Sequence, residues 1–176
     1  MKNTKWIIDP THSELEFKVR HLMISNVKGQ FKEFTGVIEG EDFLNSQIHA
    51  TVQTDSIFTN NNDRDAHLRS ADFFDVENHK EITFKSSSLD KISEDEFKLT
   101  GNLTINGITK EVTMDVEYGG RMTDPYGNDK IAFSMNGKIN RKDFGLNWNA
   151  ALEAGGVMVS DEVRINADLQ FAKQAE

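Results

Sequence analysis

The chain has 176 residues, 20 basic against 29 acidic, a formal net charge of −9 and no cysteine. That length makes one domain, 1–176, able to build a core without staples. The lack of cysteine excludes disulfides, thiolate nucleophiles and Cys-ligated metals. The acidic balance lacks the phosphate-neutralising footprint of a nucleic-acid binder. No apolar run approaches the ~18 residues of a membrane-spanning helix. At the front, Trp6-Ile7-Ile8 lies between Lys5 and Asp9. That is shorter than the apolar stretch of a secretory leader, so the chain is expected to stay in the cytoplasm.

Period-two alternation dominates the rest. Leu15, Phe17, Val19, His21 and Met23 alternate with Glu14, Glu16, Lys18 and Arg20. Stretches 27–39 and 46–57 repeat the pattern less clearly. Residues 59–80 break it; there Asp63 or Asp65 is placed to cap a short helix of one or two turns. Alternation resumes over 81–89 and becomes strict over 97–105 and 108–118. Asn106-Gly107 between those two runs predicts a hairpin with a type I′ turn. Gly119-Gly120 and Asp124-Pro125-Tyr126-Gly127 then punctuate a connection before strands over 130–140 and 163–171. One apolar and one charged face per strand marks antiparallel sheet with one side in water.

About eight such strands, with one short helix to cover them, must fold on themselves as a sandwich or a closed barrel. The interior of an eight-stranded barrel either fills with side chains or holds one small ligand. The inward faces mix bulky residues (Phe17, Phe84, Phe97, Phe133) with small ones (Ala50, Ser86, Gly101, Gly137, Ala167). Pattern alone leaves both outcomes open: large and small alternate to pack a solid core, or the small positions line a channel. The walls of such a channel would be Phe17, Val19, Met23, Phe34, Ile48, Ala50, Val52, Phe84, Leu99, Gly101, Leu103, Val112, Met114, Phe133, Met135, Val163 and Ile165. Its guest would have to be long and apolar, each buried CH₂ contributing ~0.8 kcal/mol.

Three stretches are more particular than strand chemistry requires. One is Thr59-Asn60 with Arg64-Asp65-Ala66-His67-Leu68-Arg69-Ser70-Ala71-Asp72-Phe73-Phe74-Asp75. The second runs from Gly101-Asn102-Leu103-Thr104 through Asn106-Gly107 to Val112. The third is Asn140-Arg141-Lys142-Asp143-Phe144-Gly145-Leu146-Asn147-Trp148-Asn149, then Leu152-Glu153-Ala154-Gly155-Gly156 up to Val163. With Trp6-Ile7-Ile8-Asp9, His12-Ser13 and His21-Leu22 at the front, the chain resembles the YceI-like family over essentially its whole length. The resemblance implies an all-β fold: an elongated eight-stranded antiparallel β-barrel, lipocalin-like, with one short helix in the 59–80 connection. It also implies a non-enzymatic carrier of a polyisoprenoid, an isoprenoid quinone or a similar long-chain amphiphile. Members often form homodimers, and many carry an export signal, which this chain is expected to be without.

Individual motifs admit competing readings. Residues 63–75 form either an ion-paired loop or a mouth, with Phe73 and Phe74 as an apolar plug. Arg141 with Asp143 reads as a structural pair, and Trp148 as core or as a stacking surface for ligand. His21, on the apolar face of its strand, is a core histidine or a polar contact for a ligand head group. His12, His21, His49, His67 and His79 show no metal-binding spacing, and no cofactor motif is found. Two other functions compete with the carrier. One is an enzyme acting on an isoprenoid or fatty lipid through His21 or an Asp65–His67 pair. The other is an interaction module with a filled barrel.

Overall fold

The computed structural model describes residues 4–22, 24–149 and 159–174. In chain order these form strands β1 (Thr4–Ile8), β2 (Glu14–His21), β3 (Ser25–Phe31), β4 (Phe34–Gly40), β5 (Gln47–Gln53) and β6 (Ile57–Phe58). Helix α1 (Asn62–Arg69) follows, then β7 (Glu81–Lys91), β8 (Glu96–Ile105), β9 (Ile108–Thr123), β10 (Asp129–Asn140) and β11 (Val159–Lys173). All pairings among them are antiparallel. The ring β1–β4–β5–β7–β8–β9–β10–β11 returns to β1 and closes an eight-stranded barrel.

The long last strand explains how eleven strands make eight staves. One half of β11 pairs with β2, setting Ile165 opposite Phe17, and its end pairs with β1, setting Phe171 opposite Ile8. β1 and β2 are therefore one stave bent at a 3₁₀ turn over Pro10–His12, where a missing N–H costs no ladder bond. β3 and β4 form a second bent stave, broken at Lys32-Glu33. The single strand expected over 27–39 is thus two. The one expected over 46–57 stops at Gln53, turns through Thr54–Ser56 and resumes only as β6, paired to β3. β1, with three successive apolar residues, shows too little alternation to be read as a strand, yet it closes the ring.

The Asn106-Gly107 hairpin forms as expected. Ile105 faces Ile108, and both turn residues have positive φ, 56° and 76°. Gly119-Gly120 does not end its strand. Ala132 faces Gly120 while Phe133 faces Tyr118, so Gly119 is absorbed as a bulge and β9 runs on to Thr123. The cap of α1 is neither Asp63 nor Asp65 but Asn61, whose side chain accepts the Arg64 N–H at 3.0 Å.

The core has two parts, one toward each end of the barrel. Phe31, Val52, Ile57, Ile82, Leu103, Ile105, Phe144 and Leu146 form the part nearer α1. Ile8, Ile38, Phe97, Leu99, Val116, Phe133 and Phe171 form the other. Phe34 and Phe84 pack against both.

Some small inward positions are filled by a neighbouring strand's large side chain. A Cβ added to Gly29 would lie 2.2 Å from the Phe17 ring; at Gly101 it would lie 2.4 Å from Phe84 Cζ, and at Gly137 2.1 Å from Met114 Sδ. Ser86 is used differently, its hydroxyl accepting the Ile48 N–H at 2.9 Å. Large–small packing therefore accounts for Gly101 and Gly137, but not for the rest of the interior.

Candidate functional site

Between the two core clusters the barrel is hollow. The cavity has a volume of about 660 Å³ and runs from the α1 end toward the β4–β5 loop. Its walls come from alternate residues of every stave, because period-two alternation sends each second side chain inward. Many of these apolar residues are only half-buried although they point inward. Phe17, Val19, Ile48, Ala50, Phe84, Met135, Val163 and Ile165 all have this character. In a filled barrel they would be covered; here they face open space.

The sequence-derived wall is largely assembled in one place. Phe17, Val19, His21, Phe34, Ile48, Ala50, Val52, Phe73, Phe74, Phe84, Leu99, Leu103, Met114, Phe133, Met135, Trp148, Val163 and Ile165 all line the cavity. Gly101 and Val112 do not. Gly101 lies beneath Phe84, and Val112 packs against the core cluster nearer α1. Met23 and Gly155-Gly156, expected as a flexible turn, lie outside the described residues. Lining residues not assigned to the wall from sequence include Leu15, Val27, Phe31, Ile38, Phe43, Arg64 and His67. The first four continue alternations that were visible. Phe43 is the one aromatic in a polar loop, and that isolation was its only signal.

The two ends differ. At the far end the rings of Phe43 and Phe133 stack at 4.8 Å, and Phe97 meets Phe43 edge-on at 5.1 Å. At the other end the wall becomes polar, with exposed Arg20, Asn61 and Asp63 beside half-buried His21, Arg64 and His67. His67 stands edge-on to Trp148 at 4.7 Å and to Phe73 at 5.2 Å, and its Nε2 lies 2.8 Å from the Asp72 carboxylate. Phe73 belongs to this aromatic rim. Its neighbour Phe74 turns inward to meet Phe31 edge-on at 5.8 Å.

Asp65, Arg64 and Arg141 near the mouth are tied into the frame. Buried Asp65 accepts the Thr59 N–H at 2.9 Å and the Thr59 hydroxyl at 2.5 Å. Arg64 donates to the Thr59 hydroxyl at 2.7 Å and the Thr59 carbonyl at 2.5 Å. Asp65 thus holds the start of α1 and does not meet His67, whose partner is Asp72. The expected Arg141–Asp143 pair is also replaced. Arg141, 3% exposed, donates to the carbonyls of Ser160 (2.9 Å), Leu146 (2.5 Å), Trp148 (2.8 Å) and, at longer range, Val159 (3.4 Å). Burial lowers its pKa from the ordinary guanidinium value, and Asp161 acts in the opposite direction. The result is a clamp that sets Trp148 at the rim. Among the described residues, every buried side-chain polar atom has a partner, and no three His, Asp or Glu converge as a metal site would need. No helix among them is long and apolar enough to cross a membrane.

Comparison with known proteins agrees with this architecture. The family model described as a YceI-like domain matches residues 6–171. A UPF0312 protein of Staphylococcus aureus is 42% identical over 172 residues, covering 96% of this chain and 98% of the relative. Among solved structures, a YceI protein of Campylobacter jejuni is 36% identical with a TM-score of 0.74, covering 89% of this chain and 90% of that one. BcnA of Burkholderia cenocepacia shares the fold with a TM-score of 0.81 at 21% identity, covering 93% and 98%. A polyisoprenoid binding domain from Saccharophagus degradans shares it with a TM-score of 0.71 at 16% identity, covering 96% and 98%.

Proposed function

The chain belongs to the YceI-like family, and from that premise we propose that it is a non-enzymatic carrier holding one polyisoprenoid, isoprenoid quinone or similar long-chain amphiphile in the barrel. One observation carries this reading: a 660 Å³ lumen walled mainly by Phe, Leu, Ile, Val and Met. A methylene occupies about as much room as a water molecule's ~30 Å³ share of the liquid. The lumen therefore accommodates roughly twenty carbons, about four isoprene units.

Burying them gains about 16 kcal/mol at ~0.8 kcal/mol per carbon. Association and chain ordering cost ~4–15 kcal/mol. Micromolar affinity, about −8 kcal/mol, lies within that balance without any charged anchor. The tail lies toward Phe43, and the head group sits at the rim near His21 and Arg20. The polyisoprenoid-binding description of the Saccharophagus domain supports the ligand class.

The engagement of Asp65 with Thr59 and of His67 with Asp72 weighs against an acid–base pair between Asp65 and His67. The test is native mass spectrometry of the purified protein, followed by delipidation and titration with geranylgeraniol, Trp148 fluorescence reporting occupancy. A single bound apolar molecule recovered unchanged is expected. Absence of any bound species, together with no response to the prenol, overturns the reading.

A further inference from the structure

We propose that Phe43 is the stop that sets how long a chain the lumen accepts; this rests on the carrier reading above. Phe43 comes from neither a strand nor a helix. It sits in the 41–46 loop between β4 and β5, and its ring joins the cavity wall. The ring is stacked on Phe133, interplanar angle 20°, and edge-on to Phe97, interplanar angle 88°. Phe43 and Phe133 line the cavity. Trp6, Phe97, Tyr118 and Ile131, which belong to the same core cluster, do not. The void therefore gives way to solid packing between the Phe43–Phe133 pair and those four residues.

Local bonds shape the loop that carries that ring. The Asn45 backbone N–H and side-chain amide donate to the Asp42 carboxylate at 2.9–3.0 Å. The Ser46 hydroxyl and N–H donate to the Phe43 carbonyl at 2.6 and 3.2 Å. Gly40 backs directly onto Ser46, where a Cβ would lie 2.7 Å from the Ser46 Cα. The position of the ring is thus fixed by local bonds, outside the barrel ladder. A change at Phe43 alters the depth of the lumen and leaves every stave paired. Changes at Phe133 or Phe171, which sit on strands, would not separate the two effects. The geometry also matches the guest: replacing Phe43 by alanine deletes a six-carbon ring, and an isoprene unit has five carbons.

The experiment compares delipidated wild type, Phe43→Ala and Phe43→Trp in binding a ladder of all-trans prenols from farnesol upward, one isoprene unit per step. Wild-type affinity is expected to rise with each unit and then level off. Phe43→Ala should move the plateau one unit longer and tighten the first prenol beyond the wild-type limit by tenfold or more. Phe43→Trp should move it one unit shorter. Should Phe43→Ala fail to fold, Phe43→Leu and Phe43→Trp supply the same reading in smaller steps. A plateau at one length in all variants overturns the proposal while leaving the carrier reading intact. A wild type that binds no prenol at any length overturns both.

Discussion

Arg141 offers the sharpest test of how the mouth is held. Its guanidinium is buried and donates to four backbone carbonyls, three of them at 2.5–2.9 Å. Arg141→Met keeps the stem's bulk and removes the donors. Bonds to a charged donor are worth ~1.5–3 kcal/mol each in net terms, and a buried acceptor left unpaired costs ~1–3 kcal/mol. Against this, the variant no longer buries a charge, the burial that lowers the guanidinium pKa. Counting only the three short bonds at the low end and allowing for that relief gives a loss of about 3 kcal/mol. For a domain of this size that is a fall in Tm of roughly 6–12 °C. Urea titration followed by far-UV circular dichroism reads the stability directly, and Trp148 emission reads the rim. Arg141→Lys should recover little, because an ammonium cannot span carbonyls on both the 146–148 segment and β11. A loss under 1 kcal/mol, or full rescue by lysine, would refute the clamp.

Three further outcomes are expected. Ala50→Trp, placed on the half-buried lumen wall, should abolish prenol binding in fluorescence titration and shift the apo Tm by less than about 3 °C, since the indole enters a void. Gly101→Ala should instead cost about 1–3 kcal/mol in urea melts, because its Cβ meets Phe84 Cζ and, at 2.5 Å, the Lys85 carbonyl, which cannot yield as a side chain can. Asp9 is bonded to Lys130 and His12, and the Lys130 bond foremost holds its carboxyl well below the usual carboxylate range. A depressed carboxylate pKa contributes stability that is complete above the unfolded value, near pH 4, and is lost as pH falls toward the folded value. Asp9→Asn should therefore cost about 1 kcal/mol at pH 7, with the gap to wild type closing below pH 4 in acid titrations.

The sequence was most informative where one face of a strand meets water. Strands β8 and β9 and the turn between them follow from strict alternation around Asn106-Gly107, because charge on one face forbids a one-residue slip. Legibility fell where tertiary closure decided the outcome. β1 has too short a run to declare itself; the free edge of β11 recruits it. The bends at Pro10 and at Lys32-Glu33 exist because two staves must serve both the ring and the β2–β3–β6 flap. Gly119-Gly120 carries a turn composition, but a bulge absorbs it when β10 continues alongside.

At the site, most of the residues picked from sequence lie on the wall. Parity cannot say how far a neighbouring strand's side chain reaches. Phe84 therefore covers Gly101, while Ala50 on the adjacent strand remains uncovered. Phe43 left only the faint signal of a lone aromatic, since nothing else in a six-residue loop announces that its ring turns inward.

The double engagement of β11 bears on the order of events during synthesis. The ring joins the first strand to the last, so a nascent chain leaving the ribosome cannot complete its barrel until residues 171–173 have emerged. Until then β1 and β2 lack their β11 partner and the oily interior gapes along one side. That interval is when the apolar wall of the barrel lies open to solvent along a whole stave. A permuted chain that opens elsewhere in the ring would move that window.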